Sequence, residues 1–256
     1  MLSHRLIARL DIKGPNVVKG IQMEGLRVVG KPDELAQRYA NSGAHELLYI
    51  DTVASLYGRN QLETLIEETA ERVFVPITVG GGIADVQSVA GLLRAGADKV
   101  AVNKAALERP QLIREIADQY GSQAICISIA AKRRGDWWEC YVDAGRQPTG
   151  ADAVTWAQEA VALGAGEILV TSIDRDGMMK GADMALLAAI GPLPVPLVYG
   201  GGVANAQQAR ECIAAGADAV AIGAALHYGR TTLLEVQHEL DQVNIPHAGH
   251  AAGAPA

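Results

Sequence analysis

Short apolar segments alternate with longer amphipathic segments along almost the whole chain. Eight of the apolar segments have the length and composition of buried strands. In order they are RLIARLDI, ELLYID, VPITVGGG, DKVAVN, AICISIA, EILVTSID, VPLVYGGG and DAVAIG. The segments between them, such as PDELAQRYANSG and ANAQQARECIAAG, have the apolar spacing of helices, and several begin with Asp or Pro and end with Gly. Strands that alternate with helices in this way form a parallel sheet.

A long internal repeat divides the chain into two equivalent halves. VPITVGGGIADVQSVAGLLRAGADKVAV begins at Val75 and returns as VPLVYGGGVANAQQARECIAAGADAVAI at Val195, 120 positions later. GAHELLYID and GAGEILVTSID, and also LDIK and IAAK, recur at about the same spacing. We therefore predict one (β/α)8 barrel of the TIM type over residues 1–243, built from half-barrels of about 1–121 and 122–243. An open, doubly wound sheet would give no reason for two equivalent halves.

Composition narrows the classes of protein to which the chain can belong. Its 256 residues have a hydrophobic fraction of 49% and a formal net charge of −7, which argues against a broad surface for nucleic acid or acidic membranes. We find no apolar stretch long enough to span a bilayer and no secretory signal. Cys126, Cys140 and Cys212 form no metal-spaced cluster, so we expect a cytoplasmic protein without metal or other cofactor. We expect the tail, residues 244–256, to be disordered.

Glycine triplets follow two predicted strands at equivalent positions of the repeat. Gly81 and Gly82 belong to the triplet after the third strand, and Gly201 and Gly202 to the triplet after the seventh, and we expect each triplet to open a helix. Backbone N–H groups at such a place can bind phosphate, and glycine allows a phosphate to approach them closely. One triplet alone would be better explained as a tight turn. Their duplication favours two phosphate sites on opposite sides of the barrel mouth.

Carboxylates provide the candidate acid–base groups at the same end of the barrel. Asp11 ends strand one, Asp51 follows strand two, and Asp174 and Asp176 follow strand six. Any of these groups could transfer a proton. A turn role is the simpler interpretation of Asp174, so we place Asp176 in the site. The repeat pairs Asp11 with Ala130, so the second half carries no proton-transfer group at that position.

Four more charged residues lie at or near the beginnings of strands one, two, four and six. They are Arg5, Glu46, Lys99 and Glu167. They could close the barrel floor as a salt-bridged ring, although on periodicity alone a structural plug or a solvated rim is the simpler interpretation. Strand alternation also points Arg9 inward with Asp11. A buried guanidinium needs partners, for which Asp11, Glu46 and Ser128 are candidates.

Several stretches together resemble the family of cyclase subunits of imidazole glycerol phosphate synthase, which work with a glutaminase in histidine biosynthesis. These stretches are LDIK, VVKG, VGGGI, GADKVAVN, YGSQA and GAGEILVTSIDRDG, within a likeness that covers nearly the whole chain. A sister isomerase family shares the duplicated phosphate barrel, but GAGEILVTSIDRDG and the floor charges are more similar to the cyclase. The resemblance implies a heterodimer with a glutaminase. It also implies a reaction in which ammonia converts a bisphosphorylated ribulosyl-formimino aminoimidazole carboxamide ribonucleotide to imidazole glycerol phosphate and aminoimidazole carboxamide ribotide.

The resemblance assigns expected roles to individual residues. Asp11 would act in acid–base catalysis. Substrate and its two phosphates would bind at Lys19, Gly81, Gly82, Asn103, Thr171, Asp176, Gly177, Gly201, Gly202, Gly223 and Ala224. The gate through which ammonia enters the barrel would consist of Arg5, Glu46, Lys99 and Glu167. The partner would dock near Asp98 and Gln123.

The chain departs from the family pattern inside the expected site. Ala130 stands in place of the second catalytic aspartate, and Arg9 in place of a small cysteine. Lys104 stands in place of a threonine, and Gly200 and Ala224 in place of two serines. Because losing an acid–base group typically costs about 10² to 10⁴ in rate, we predict a divergent paralogue with weak or lost ring closure that channels ammonia to another amidating synthase. The alternatives are an active cyclase that relies on Asp11 without the second aspartate, and a non-catalytic scaffold that activates the glutaminase.

Overall fold

The computed structural model describes residues 4–54 and 62–242. Within these residues the strands are β1 (Arg5–Lys13), β2 (Asn16–Ile21), β3 (Glu24–Gly30), β4 (Glu46–Asp51), β5 (Ile77–Gly80), β6 (Lys99–Val102), β7 (Ile125–Arg134), β8 (Trp137–Val142), β9 (Gln147–Asp152), β10 (Glu167–Ser172), β11 (Leu197–Gly200) and β12 (Ala219–Ile222). The α-helices are α1 (Pro32–Asn41), α2 (Leu62–Ala70), α3 (Val86–Arg94), α4 (Lys104–Glu108), α5 (Gln111–Tyr120), α6 (Ala153–Ala162), α7 (Met184–Ile190), α8 (Ala206–Ala214), α9 (Ala224–His227) and α10 (Leu233–Asp241). The predicted tail lies outside the described residues.

Eight parallel strands form a closed barrel. Starting from β1, the hydrogen-bonded neighbours are β4, β5, β6, β7, β10, β11 and β12, and β12 pairs again with β1. All eight strands that the apolar segments predicted are present, and helices lie between them. The predicted (β/α)8 barrel is therefore confirmed. Among the described residues, no helix is long and apolar enough to cross a membrane.

Two antiparallel hairpins extend the barrel at its mouth, and the sequence analysis missed both. β2 and β3 continue from β1, while β8 and β9 continue from β7. Their outer strands carry no alternating apolar pattern, because most of the residues of β3 and β9 are exposed to solvent. The hairpins occupy equivalent places after the first strand of each half of the repeat, and β2 carries Lys19 into the barrel mouth.

Alternation along β1 separates two apolar layers. Leu6, Ala8 and Leu10 pack outward into the core between strands and helices, whereas Ile7 packs inside the barrel against Leu48 and other residues of the facing strands. Side chains of one strand that are two residues apart point the same way. The same alternation therefore directs the side chains at positions 5, 9 and 11 into the barrel.

The glycine triplets do not open helices directly, which corrects the prediction. α3 begins at Val86 and α8 at Ala206. Each start is determined by a capping side chain, because Asp85 accepts a hydrogen bond from Ser88 N, and Asn205 accepts one from Gln208 N. The residues between each triplet and its cap belong to no helix or strand, so the glycines lie in loops at the barrel mouth.

Candidate active site

The four charged residues near the strand beginnings meet inside the barrel floor. Arg5 donates to Glu46 at 2.7 Å and to Glu167 at 2.6 Å, and Lys99 pairs with the same two carboxylates at 2.9 and 2.8 Å. Both glutamates are almost fully buried. Burial alone would lower the pKa of Lys99, but the two carboxylates raise it, so the ammonium stays charged. The four side chains form a closed ring of alternating charge.

A threonine that the sequence analysis missed also contacts this ring. Thr78 Oγ1 donates to Glu46 Oε1 at 2.6 Å, and its side chain is buried. Its position on β5, two residues before Gly80, directs it into the barrel by the alternation that directs Lys99 on β6. That alternation was the signal that could have identified Thr78 from the sequence.

Arg9 lies inside the barrel, above the apolar layer that contains Ile7. Its Nε donates to Asp11 Oδ1 at 2.8 Å, as expected. Its Nη1 donates to Thr171 Oγ1 at 3.0 Å, whereas the expected partner Glu46 is engaged by the floor ring. Among the described residues, the guanidinium also makes no hydrogen bond to the expected partner Ser128. The guanidinium therefore reaches past β12 and β11 to β10 rather than down to the floor.

A buried chain of charges connects β1, β2 and the loop after β10. Lys19 Nζ donates to Asp11 Oδ2 at 2.7 Å and to both carboxylate oxygens of Asp176 at 2.9 Å. Burial alone would raise the pKa of Asp11, but the neighbouring cations of Arg9 and Lys19 hold it well below its usual range. Asp11 is therefore a carboxylate whose two oxygens each accept a charge-assisted hydrogen bond.

Ala130 occupies an apolar corner of the site. It is 7% exposed and packs with Tyr141 and Ile173, with Met23 against them. It lies on β7, hydrogen-bonded in register with Thr171 of β10 and Tyr141 of β8. The second half of the barrel thus presents a methyl group at the place equivalent to Asp11.

A cavity of about 300 Å³ opens at the carboxyl ends of the strands. Its lining includes the predicted site residues Asp11, Gly81, Gly82, Asn103, Thr171 and Asp176. Asn103 Oδ1 is buried and has no hydrogen-bond partner within the described part of the chain. Lys104, at the same end of the cavity, pairs with Asp143 of the second hairpin at 3.1 Å. Asp143 was missed because it lies in a hairpin that the sequence pattern did not predict.

A second, smaller cavity lies beside the first. Its lining includes Arg9, Asp176, Gly177, Gly201, Gly202, Gly223 and Ala224. A Cβ at Gly201 would lie 2.7 Å from the carbonyl oxygen of Ser172, and its φ of +103° favours glycine. The equivalent Gly81 has a φ of +106°, with Asp51 Cβ 2.8 Å from the place of its own missing Cβ. Both pairs of glycines therefore allow two loops to pack closely at the mouth.

The remaining predicted residues occupy structural positions near the site. Asp51 accepts hydrogen bonds from Val53 N and Ala54 N, although it also lines the larger cavity. Asp174 accepts a hydrogen bond from Arg133 N of β7, so its side chain joins the loop after β10 to the strand that leads into the second hairpin rather than bonding within its own turn. Gly177 leaves room for the carbonyl oxygen of Gly20, so the loop after β10 packs against the first hairpin.

The two expected docking residues lie at the opposite, floor end of the barrel. Asp98 precedes β6 and accepts a hydrogen bond from Ile77 N at 2.8 Å. Gln123 precedes β7 and donates to the carbonyl of Tyr120 at 3.1 Å. Both residues are exposed to solvent. Their partner-binding role stays a prediction.

Comparison with known proteins gives one consistent result. The family model described as histidine biosynthesis protein matches residues 5–232. A Legionella pneumophila protein named imidazole glycerol phosphate synthase subunit HisF is 52% identical over 210 residues, which cover 81% of this chain and 99% of that protein. Proteins of the same name from Myxococcus xanthus and Pyrococcus furiosus are 49% and 43% identical, over 91% and 96% of this chain and 93% and 98% of their own lengths.

Proposed function

This chain belongs to the histidine biosynthesis family as a HisF-type cyclase subunit of imidazole glycerol phosphate synthase, and we propose that it is a divergent member with weakened ring closure. In this proposal a glutaminase docks at the barrel floor, ammonia passes through the barrel, and its acceptor is the substrate of another amidating synthase. The single observation that carries the proposal is the pairing of Asp11 with both Arg9 and Lys19, opposite an alanine at position 130.

The state of Asp11 argues against efficient acid–base catalysis. A general acid must carry a proton near neutral pH, but the two cations hold the pKa of Asp11 well below its usual range. Both of its oxygens are also engaged, at 2.8 and 2.7 Å. Asp11 could act only as a weak base, and Ala130 offers no proton in its place. Such a loss typically costs about 10² to 10⁴ in rate.

The floor supports ammonia delivery from a partner. Four buried or half-buried charges satisfy one another in a ring, and small and apolar side chains such as Ala101, Cys126 and Ala219 line the barrel above it. This layer would accommodate a small neutral molecule without competing hydrogen bonds. Asp98 and Gln123 lie exposed at the same end, where we place the glutaminase. The three cysteines are free and buried, which suits the cytoplasm.

The first alternative keeps the family reaction. Asp11 would close the imidazole ring slowly, with help from Asp51, Asp176 or Lys104, all of which line the larger cavity. The second alternative is a scaffold that activates a glutaminase without any turnover of its own. These two readings share the floor ring and differ from the proposal only in what happens at the mouth.

The deciding experiment measures ammonia-dependent turnover of the bisphosphorylated imidazole precursor by the full chain and by Ala130→Asp. We expect almost no turnover by the unaltered chain and a gain of at least about tenfold in Ala130→Asp. A reconstituted pair with the glutaminase should hydrolyse glutamine in either case.

Each other result selects a different reading. Turnover by the unaltered chain as fast as by Ala130→Asp would overturn the weakened-cyclase proposal in favour of the first alternative. Glutaminase activation without release of ammonia at the barrel mouth would favour the scaffold. Ser128→Asp is the matched control. Position 128 lies two residues before Ala130 on β7 and points to the same side of the strand, so this variant adds the same carboxylate at a different depth in the barrel.

A further inference from the structure

The smaller cavity contains a single side chain that can donate a hydrogen bond. Among its described lining residues, Arg9 is that side chain, because the others are glycine, alanine, valine, isoleucine, methionine and Asp176. Arg9 is also the only cation of this lining. Any anion held there would therefore have to be bound by backbone N–H groups and by Arg9.

The guanidinium is oriented but not saturated. Nε is held by Asp11 at 2.8 Å and Nη1 by Thr171 at 3.0 Å, which fix the plane of the group. Nη2 donates no hydrogen bond within the described residues. Burial alone would lower the pKa of Arg9, but Asp11 and Asp176 raise it, so the group keeps its charge. Arg9 thus presents a fixed positive charge with a free donor.

The surroundings of Arg9 are fitted to its size. A Cβ at position 200 would lie 3.2 Å from Thr171 Oγ1 and 3.7 Å from Arg9 Nη1. A longer polar side chain there would compete for the hydrogen bond between these two groups. Gly200 therefore leaves Thr171 Oγ1 unobstructed for the bond from Arg9, whereas a Cβ there would meet Nη1 only at ordinary contact distance.

The charges nearby favour an incoming anion. The carboxylate of Asp176 also lines the cavity, but both its oxygens accept from Lys19 at 2.9 Å. The buried groups Arg9, Lys19, Asp11 and Asp176 balance to zero, so the cavity does not repel a phosphate by excess negative charge. Arginine also suits phosphate because its planar fork can donate two hydrogen bonds to one anion.

We propose that Arg9 is the side-chain ligand that binds an anionic group, a phosphate monoester in the first place, in the smaller cavity. Arg9 would take the place of side-chain hydroxyl donors, since positions 200 and 224 carry none. Arg9 would then determine substrate binding in addition to packing inside the barrel. This inference rests on the proposed function for the identity of the substrate, but not for the binding of phosphate.

The test is titration of the full chain with inorganic phosphate, followed by NMR at backbone amides. The signals of Gly202 and Gly223 report the smaller cavity, and those of Gly81 and Gly82 report the larger one. Arg9 also lines the larger cavity, but Gly81 and Gly82 lie at the glycine pair of the other half of the repeat. In Arg9→Gln we expect the phosphate affinity reported by Gly202 and Gly223 to fall about 10- to 100-fold, and the affinity reported by Gly81 and Gly82 to fall much less. Arg9→Lys keeps the positive charge but lacks the planar fork of donors. Its phosphate affinity at the smaller cavity should therefore lie between that of the unaltered chain and that of Arg9→Gln.

Lys104→Gln is the matched control, because it removes one positive charge from the wall of the larger cavity alone. Phosphate binding that persists at Gly81 and Gly82 in Arg9→Gln also shows that this variant is folded. Two results would overturn the inference: no phosphate response of Gly202 and Gly223 in the unaltered chain, or equal affinity there in Arg9→Gln.

The proposed function can fail separately from this inference. If the chain does not couple to a glutaminase but binds phosphate in a way that depends on Arg9, the proposed function fails and the inference on Arg9 stands. If the chain couples fully to a glutaminase but its phosphate binding does not depend on Arg9, the proposed function stands and the inference on Arg9 fails.

Discussion

Lys19 connects two carboxylates that the protein otherwise buries close together, and its replacement tests the energetics of the site. In Lys19→Met the side chain keeps an unbranched apolar stem, one atom shorter, and loses the ammonium. Asp11 retains the hydrogen bond from Arg9. Asp176 loses the donor to both of its side-chain oxygens. The variant therefore leaves one buried carboxylate without its charged partner.

The magnitude follows from this burial. The side chain of Lys19 is 2% exposed, and those of Asp11 and Asp176 are 7% and 6% exposed. Removing one partner of a buried ion pair costs roughly 3–5 kcal/mol of unfolding free energy. Because Arg9 still pairs with Asp11, we expect a loss near the lower limit, about 3 kcal/mol.

The dependence on pH has a definite sign. The pKa of Asp11 is lower in the folded protein than in the unfolded chain, because Arg9 and Lys19 favour the carboxylate over the effect of burial. Its contribution to stability is therefore complete well above pH ~4 and is lost as the pH falls below that value. Lys19→Met removes one of the two cations that lower the pKa of Asp11 in the folded protein. The difference in free energy of unfolding between the variant and the unaltered chain should therefore shrink between pH 7 and about pH 3.5.

Urea denaturation followed by circular dichroism at both pH values measures these differences. With a denaturant slope of about 3 kcal/mol per molar, the midpoint should fall by about 1 M at pH 7. Arg109→Met is the control, because it removes an ion pair whose side chains are 47% and 45% exposed and should cost less than about 1 kcal/mol. A loss for Lys19→Met as small as that of the control, or a difference that grows as the pH falls, would refute the reasoning.

Three further predictions concern other parts of the barrel. Gly202→Ala should abolish phosphate binding at the smaller cavity, because its Cβ would overlap the carbonyl oxygen of Gly181; Gly216→Ala, with a similar positive φ and open space around it, should leave binding unchanged in the same NMR titration. Burial lowers the pKa of His227 to about 4, so its neutral form stabilises the fold above pH ~6.5. The free energy of unfolding of the unaltered chain should therefore fall by roughly 3 kcal/mol from this residue as the pH falls from 6.5 to 4, and His227→Gln should not show this fall. Urea denaturation at both pH values measures it. Glu167→Gln takes one anion from the floor ring. Made in the Ala130→Asp background, where we expect measurable ring closure, it should lower glutamine-dependent turnover relative to turnover with added ammonia, and an unchanged ratio would contradict the gate role.

The candidate site could be predicted from the sequence where repetition or alternation identified it. The repeat identified both glycine pairs, and strand ends identified Asp11 and Asn103, which the structure brings to one cavity. Alternation also predicted that Arg9 points inward. Of its two partners, Asp11 was predicted. Thr171 could not be predicted, because it lies on β10 and is reached only through the curvature of the closed barrel. The hairpins could not be predicted, because the residues of their outer strands are mostly exposed and show no periodic spacing of apolar side chains.

The sequence by itself determined the eight barrel strands with the helices between them, the duplicated barrel and the family, because hydrophobic period and repeated motifs can be read from the chain without its contacts. The tertiary structure alone decided which charges meet. Arg5 and Glu167 are 162 positions apart in the chain and 2.6 Å apart in the barrel. Such contacts depend on strand register and barrel closure, which fix side-chain positions to within a hydrogen-bond length. The protonation state of Asp11 follows from the same contacts, since burial and two cations act on it only after the barrel has closed.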